Sequence, residues 1–312
     1  MSEQRWGLTL PLPLLSLSQS EKHVRRAEAA GYTDVWSGET QGPDGFTPLA
    51  LASCWTESAR LGTGVVGVFT RGPALLAQQA ASVADASGGR FALGIGASSD
   101  RIVEGWNRMK LERPLTRVSE TIDFLREVLE GGRANGGFKL ERAPDERIPI
   151  IVAALRGKML RLAVEKGDGA FTNFLPLAGL PQVREGLAGA PEGFELLCRF
   201  FCIQGDREAA MGLARFMFCA YATVPVYEKF FRWLGYGDEI DEMVSAWNAK
   251  DRERAQAAAP WELIEDTFIF GTHEEMRERL EAFVAGGITL PILTPIVTPD
   301  LLGETIAALA PA

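Results

Sequence analysis

The chain has 312 residues, 46% of them apolar, with 32 basic and 41 acidic side chains and a net charge of −9. That apolar share suffices for one large core, and the acidic balance argues against nucleic acid, whose phosphates require clustered Lys and Arg. Four cysteines (Cys54, Cys198, Cys202, Cys219) and two histidines (His23, His273) lack zinc-site spacing, so no metal is expected.

Taken in chain order, short apolar runs alternate with helix-period segments. Gly7–Leu12 reads as a first strand. Pro11 and Pro13 interrupt the apolar run Leu8–Leu17, so it does not read as a signal peptide. A helix follows over Ser18–Ala30, with Val24, Ala27 and Ala30 on one face and Gly31 as its cap. Asp34–Glu39 is the second strand, Phe46–Ser58 the second helix and Arg60–Val68 the third strand. Pro73 opens the third helix, where its missing N–H costs nothing. Phe91–Ala97 is a glycine-rich fourth strand, and a long loop leads to the helix Arg117–Glu130. In that helix Val118, Ile122, Leu125 and Leu129 recur at amphipathic spacing.

The polar stretch Arg133–Arg147 reads as a surface excursion. Ile148–Leu155 is the fifth strand, Lys158–Lys166 the fifth helix, Gly169–Leu175 the sixth strand, Leu180–Leu187 a short helix and Glu195–Ile203 the seventh strand. Cys198 and Cys202 fall in this last strand as small apolar residues, a usage that suits a reducing cytoplasm. Residues 206–266 look almost wholly helical, with breaks near Pro225, Gly235–Gly237 and Pro260, too long for one barrel helix. His273–Ala285, Ile288–Ile296 and Leu301–Leu309 complete the pattern as helix, strand and helix. The α/β alternation predicts a (β/α)8 TIM barrel, a single domain over 1–312 with a helical insertion at 206–266 before the eighth strand. A doubly wound open sheet shares the local pattern. No apolar run reaches membrane-spanning length, and the expectation is a cytoplasmic protein without a membrane partner.

Gly62, Gly64 and Gly67 match the dinucleotide spacing G-x-G-x-x-G. A nucleotide-binding version must follow a strand and open a helix, whereas here Val68 and Phe69 come next and the helix waits for Pro73. The glycines therefore lie inside a strand, where they mark a bulge or a close approach of backbone to another group.

Three segments together carry a resemblance. They are Gly31–Trp36 leading to Glu39; Arg60–Gly67 with Arg71–Pro73, Leu76–Gln78 and Gly89–Gly96; and Pro149–Ala154 with Met159, Leu162, Ala163, Asp168 and Gly169. The tail, Gly271–Thr272 through Gly286–Ile288, fits as well. The chain resembles the luciferase-like flavin and deazaflavin oxidoreductases over nearly its whole length, most closely the branch that uses coenzyme F420. The second segment is the most specific.

The resemblance implies a cis peptide between Gly64 and Val65, whose backbone would support the middle ring of the cofactor. It implies a ring-binding surface at Gly96, Ala97 and Ser98, and a phosphate turn at Ala154, Leu155, Arg156, Gly157 and Lys158. That turn opens a helix, and its N–H groups and two cations suit a phosphate; the same composition also makes an ordinary solvated turn. Trp36 and Phe69 would stand near substrate. Many relatives have a histidine after the second strand and an acidic residue after the fourth; here Thr40 and Ser99 occupy those positions. Glu39 is then the candidate proton donor beside Thr40, or else a structural carboxylate tied to backbone donors. The expected function is hydride transfer between F420 and a small-molecule substrate. The alternatives are an FMN-dependent monooxygenase served by a separate reductase, and a barrel that binds flavin or another ligand without catalysis. The aromatic-rich insertion would shape an apolar pocket and help build a homodimer.

Overall fold

The computed structural model describes residues 4–311. Its strands are Gly7–Leu10 (β1), Asp34–Ser37 (β2), Arg60–Thr63 (β3) with its continuation Val66–Gly67 (β4), Phe91–Gly96 (β5) and Ile150–Ala153 (β6). Gly169–Asn173 (β7), Glu195–Ile203 (β8), Ile269–Phe270 (β9) and Leu290–Ile296 (β10) follow. All pairings are parallel, in the order β1-β2-β3-β5-β6-β7-β8-β10, and β10 pairs with β1 as well as β8. The sheet therefore closes on itself; with β3 and β4 forming one stave it is an eight-stave barrel, and the open-sheet alternative is excluded. The short β9, unforeseen in the sequence, hangs on the end of β8 through Cys202–Ile269 and Ile203–Phe270.

The helices of the outer ring are Leu17–Ala29 (α1), Thr47–Trp55 (α2), Pro73–Ala86 (α3), Pro114–Leu129 (α4), Gly157–Lys166 (α5) and Leu180–Gly186 (α6). α1 starts at Leu17 rather than at the expected Ser18, because Ser16 and Gln19 form a reciprocal capping box. The segment after β5, expected as a long loop, instead contains a π-helical turn over Arg101–Trp106, and α4 begins at Pro114 after a left-handed Arg113. Residues 206–266 hold five helices: Arg207–Ala222 (α7), Pro225–Trp233 (α8), Gly237–Asn248 (α9), Arg252–Ala257 (α10) and Trp261–Thr267 (α11). The expected breaks at Pro225, Gly235–Gly237 and Pro260 are present, and a further one falls at the left-handed Lys250. His273–Gly286 (α12) and Leu302–Ala308 (α13) complete the ring. Among the described residues no single helix is long and apolar enough to cross a membrane.

Inward-facing residues stack in layers along the barrel axis. At the end where the strands begin, Arg60 on β3 donates to Asp34 on β2 at 2.7 Å and to both oxygens of Glu195 on β8 at 2.6 Å, and Arg5 pairs with the same Asp34 at 2.9 Å. Burial works against the Arg60 charge, but Glu195 and Asp34 outweigh it and push its pKa up. The next layer is apolar: Trp36, Ala92, Ile151, Phe171, Leu197 and Ile292. The indole fits because Gly62 lies against it; a Cβ there would come within 2.6 Å of the ring. Above this layer the strand ends carry Gly38, Val65, Ala153, Asn173 and Arg199, all half-buried, and the barrel opens.

The insertion keeps a core of its own. Phe218, Cys219, Phe231, Ile240, Met243, Leu263 and Ile264 pack together with Phe174 after β7 and Ile203 on β8, while Phe230 of α8 is buried in the core of the barrel. The free thiols of Cys198 and Cys202 are buried in β8, as expected.

Candidate active site at the mouth of the barrel

In a parallel barrel the functional groups gather where the strands end, because the loops there vary without disturbing the sheet. A surface groove under Phe138–Glu146, against Gln78, Ser82 and Asp85 of α3, is far from this end: it lies beside the loop that leads into β5.

The stave β3–β4 is interrupted where the glycine run stands. The peptide bond between Gly64 and Val65 is cis, as the family resemblance implies. The interruption removes ladder partners from β5, and Thr63 replaces them. Its hydroxyl donates to the Gly94 carbonyl and accepts from the Gly94 N–H, each at 2.8 Å. Gly94 is required for this approach, since a Cβ there would overlap the Thr63 carbonyl oxygen. Gly96 is enclosed in the same way: a Cβ would sit 2.7 Å from that of Ala153 and 3.1 Å from Val65. Gly64, Val65, Gly96 and Ala153 thus bring backbone to the mouth with little side chain in front of it.

The chain leaves β5 through Ala97 and Ser98, both half-buried. Ser98 adopts a left-handed φ of 66°, uncommon outside glycine and found at ligand sites more often than elsewhere. Ser99 Oγ caps the following turn by accepting from the Ile102 N–H at 3.4 Å. Across the mouth, Ala154 is buried and donates its N–H to the Phe171 carbonyl at 3.0 Å, which fixes the exit of β6. Leu155 and Arg156 are half-buried, and Gly157 and Lys158 are exposed at the start of α5. No side chain caps that helix, and the buried Nε of Arg156 has no acceptor. An uncapped helix start beside an unsatisfied guanidinium is chemically complementary to a phosphate.

The expected proton-handling pair looks different. Glu39 is half-buried, its two oxygens held by the Arg71 guanidinium, and it also accepts from the Gly45 N–H at 3.1 Å. Of its two possible roles, the geometry favours the structural carboxylate. Thr40 is exposed on the rim. Trp36 lies below the mouth rather than in it: it is fully buried, packed on Phe171 at 5.7 Å between ring centroids, with Nε1 on Asp34 at 3.3 Å. It supports the floor, whose upper surface is Phe171. Phe69 packs in the outer core between barrel and helices.

Three polar groups at the mouth escaped the sequence reading. Arg199 on β8 extends over the Phe171 ring, 5.6 Å from its centroid, and donates to the carbonyl of Gly64. Asn173 on β7 donates to the phenol oxygen of Tyr227 at 3.1 Å. Burial pushes the Tyr227 phenol up to about 12, against the opposing Asn173 hydrogen bond, so it stays a neutral O–H donor. The one signal available was a lone arginine in an otherwise apolar strand, ELLCRFFCI.

The family of luciferase-like monooxygenases matches residues 6–290, nearly the whole barrel. The chain belongs to this family. A Mycobacterium tuberculosis protein named as a candidate coenzyme F420-dependent oxidoreductase is 29% identical, over 87% of this chain and 89% of its own. The 5,10-methylenetetrahydromethanopterin reductase of Archaeoglobus fulgidus is 26% identical over 93% of both chains. Among solved structures, the coenzyme F420-dependent tetrahydromethanopterin reductase of Methanopyrus kandleri superposes with a TM-score of 0.75 at 20% identity, covering 99% of this chain and 98% of that one. That likeness concerns the fold. This luciferase-like barrel has a bulged third stave and a fourth strand that ends in small residues, while its rim carries Thr40 and Ser99 and its centre carries Arg199.

Proposed function

We propose that this luciferase-like barrel is an oxidoreductase that moves a hydride between coenzyme F420 and a small organic substrate at the C-terminal mouth. The observation that carries the reading is the pairing of a bare shelf with a phosphate-type turn. Val65, Gly96 and Ala153 form a surface a flat ring can lie on, and the adjoining start of α5 offers N–H groups and an Arg156 Nε without acceptors. The relatives named for F420 support the choice of cofactor.

The deazaflavin would supply the hydride chemistry. The chain would supply the rest. Gly64, Val65, Gly96, Ala97 and Ser98 would position the ring, Ala154, Leu155, Arg156, Gly157 and Lys158 the phosphate, and Phe171 would close the floor against water. We assign Glu39 to holding the rim through Arg71, with Thr40 beside it facing solvent.

Titration of the purified protein with F420 and with FMN, followed by fluorescence quenching, tests the reading. Saturable quenching by F420 is the expected result. Binding of FMN alone would instead favour a monooxygenase, a reading supported by fold neighbours such as an EDTA monooxygenase with a TM-score of 0.68. Stopped-flow reoxidation of bound reduced cofactor separates an enzyme from a barrel that only binds. The insertion exposes Leu213 and Phe216 on α7, and we propose a homodimer through that face. Sedimentation at micromolar concentration should give a dimer, and a monomer throughout would end that proposal.

A further inference from the structure

Arg199 is an arginine whose charge the protein does not answer. Among the described residues it forms no ion pair: its hydrogen bond goes to the Gly64 carbonyl, and its Nε is buried without an acceptor. The groups whose charge bears on it are the phenols of Tyr221 and Tyr227 and the Cys198 thiol, and no carboxylate is among them. Burial lowers its pKa, the sign of a cation poorly compensated by its surroundings. Yet an arginine stays protonated in proteins, so a positive charge stands at the centre of the mouth. A partly buried charge without a counter-ion costs stability, and an anionic ligand would supply the missing partner.

The surroundings define the rest of that ligand. Phe201, Tyr221 and Tyr227 are half-buried around the opening, and Phe174, turned by its φ of 51°, holds their rings together at centroid distances of 4.4 to 5.4 Å. Aromatic faces accept a flat apolar body, and a guanidinium fork accepts a planar carboxylate.

We infer that Arg199 is the specificity-determining residue of this site and that the substrate is a carboxylate with a flat apolar body, the carboxylate on Arg199 and the body against Phe201, Tyr221 and Tyr227. This rests on the oxidoreductase reading for the word substrate, but the binding itself is measurable without cofactor.

The test uses benzoate as probe and benzamide, nearly the same shape but neutral, as its control. Each is titrated calorimetrically into wild type, Arg199→Gln, Arg199→Lys and Arg156→Ala. Wild type should bind benzoate at least tenfold more tightly than benzamide, Arg199→Gln should lose the preference, Arg199→Lys should keep part of it and Arg156→Ala should keep all of it. The lysine variant guards against a glutamine variant that fails to fold. A wild type without preference, a preference that survives Arg199→Gln, or one abolished by Arg156→Ala would overturn the assignment. So would a tenfold loss of F420 affinity in Arg199→Gln with the benzoate preference intact, which would move the arginine to the cofactor. If F420 fails to bind wild type while the benzoate pattern holds, the oxidoreductase reading falls and this carboxylate site stands.

Discussion

Two arginines in the interior of this barrel are treated in opposite ways. Arg60, where the strands begin, is fully answered by Asp34 and Glu195, and Arg5 adds a further cation to the same network. Arg199, where the strands end, has one backbone carbonyl and an unsatisfied Nε. The same side chain is a closed structural element at one end and an open chemical one at the other. Asp168 extends the contrast. It precedes β7 at the closed end and is held by Arg126, Arg147 and the Ile150 N–H. To decide which charges in a barrel serve stability and which serve a ligand, partners should be counted before burial.

That contrast can be broken at several points. The largest effect is expected from Arg60→Met, which leaves the fully buried Asp34 with Arg5 as its one cation and Glu195 with none, among the described residues. Loss of one partner from such a network costs about 3–5 kcal/mol, measurable by urea unfolding. Cofactor binding by the folded fraction should stay unchanged, and a loss below about 1 kcal/mol would show that the closed end is solvated.

Next comes Gly94→Ala. The new methyl must displace the Thr63 carbonyl and with it the bulged stave, an overpacking worth about 1–3 kcal/mol of stability. F420 binding should fall along with it, because the shelf moves; stability lost with affinity retained would detach the shelf from the site.

Arg156→Ala addresses the open end alone. Affinity for F420 should drop by about 1–3 kcal/mol, the scale of charged hydrogen bonds, with the melting temperature of the cofactor-free protein barely altered. Lys158→Ala should cost less, its ammonium being a mobile point charge. Titrations at two ionic strengths decide it: unchanged affinity in Arg156→Ala places the phosphate elsewhere.

The smallest effect is a pH dependence. Although burial opposes it, the hydrogen bonds from Arg126, the Ile150 N–H and Arg147 hold the Asp168 carboxyl below its usual range. A depressed folded pKa means stability that is complete above the unfolded value of about 3.9 and is lost as pH falls through the folded one. Unfolding curves below about pH 4 should therefore slope less steeply in Asp168→Asn than in wild type. Equal slopes would assign acid sensitivity to other carboxylates.

The barrel was legible because its signals are local and periodic. The glycines of the third stave stood out because two-sided apolar strands seldom contain three of them, and their failure to open a helix excluded the nucleotide motif. Cap chemistry was less visible: the first helix is capped by Ser16 and not by a later serine, since the reciprocal Gln19 bond is a matter of geometry. The mouth was legible only in part. Loop turns such as Arg156–Lys158 announce themselves by position, but which residues alternate inward on β8 depends on register, and Arg199 differs from its neighbours only by charge. Trp36 misled for the opposite reason. Its position near a strand end suggested the rim, whereas the shear of the barrel sets it one layer down, beneath Phe171.

Phe174 has a consequence for how this protein can change over generations. Its ring belongs to the insertion's core, and its backbone belongs to the end of β7, next to Asn173. The helices α7–α11 have a core of their own but also reach into that of the barrel, where Phe230 of α8 is buried with Tyr227 and Trp233 packed against it, so a remodelled insertion is felt at the mouth through Phe174, Tyr221 and Tyr227 together. Selection for a new substrate therefore has its freedom in the helices that pack only on one another, and must spare the face of α8 that the barrel core holds.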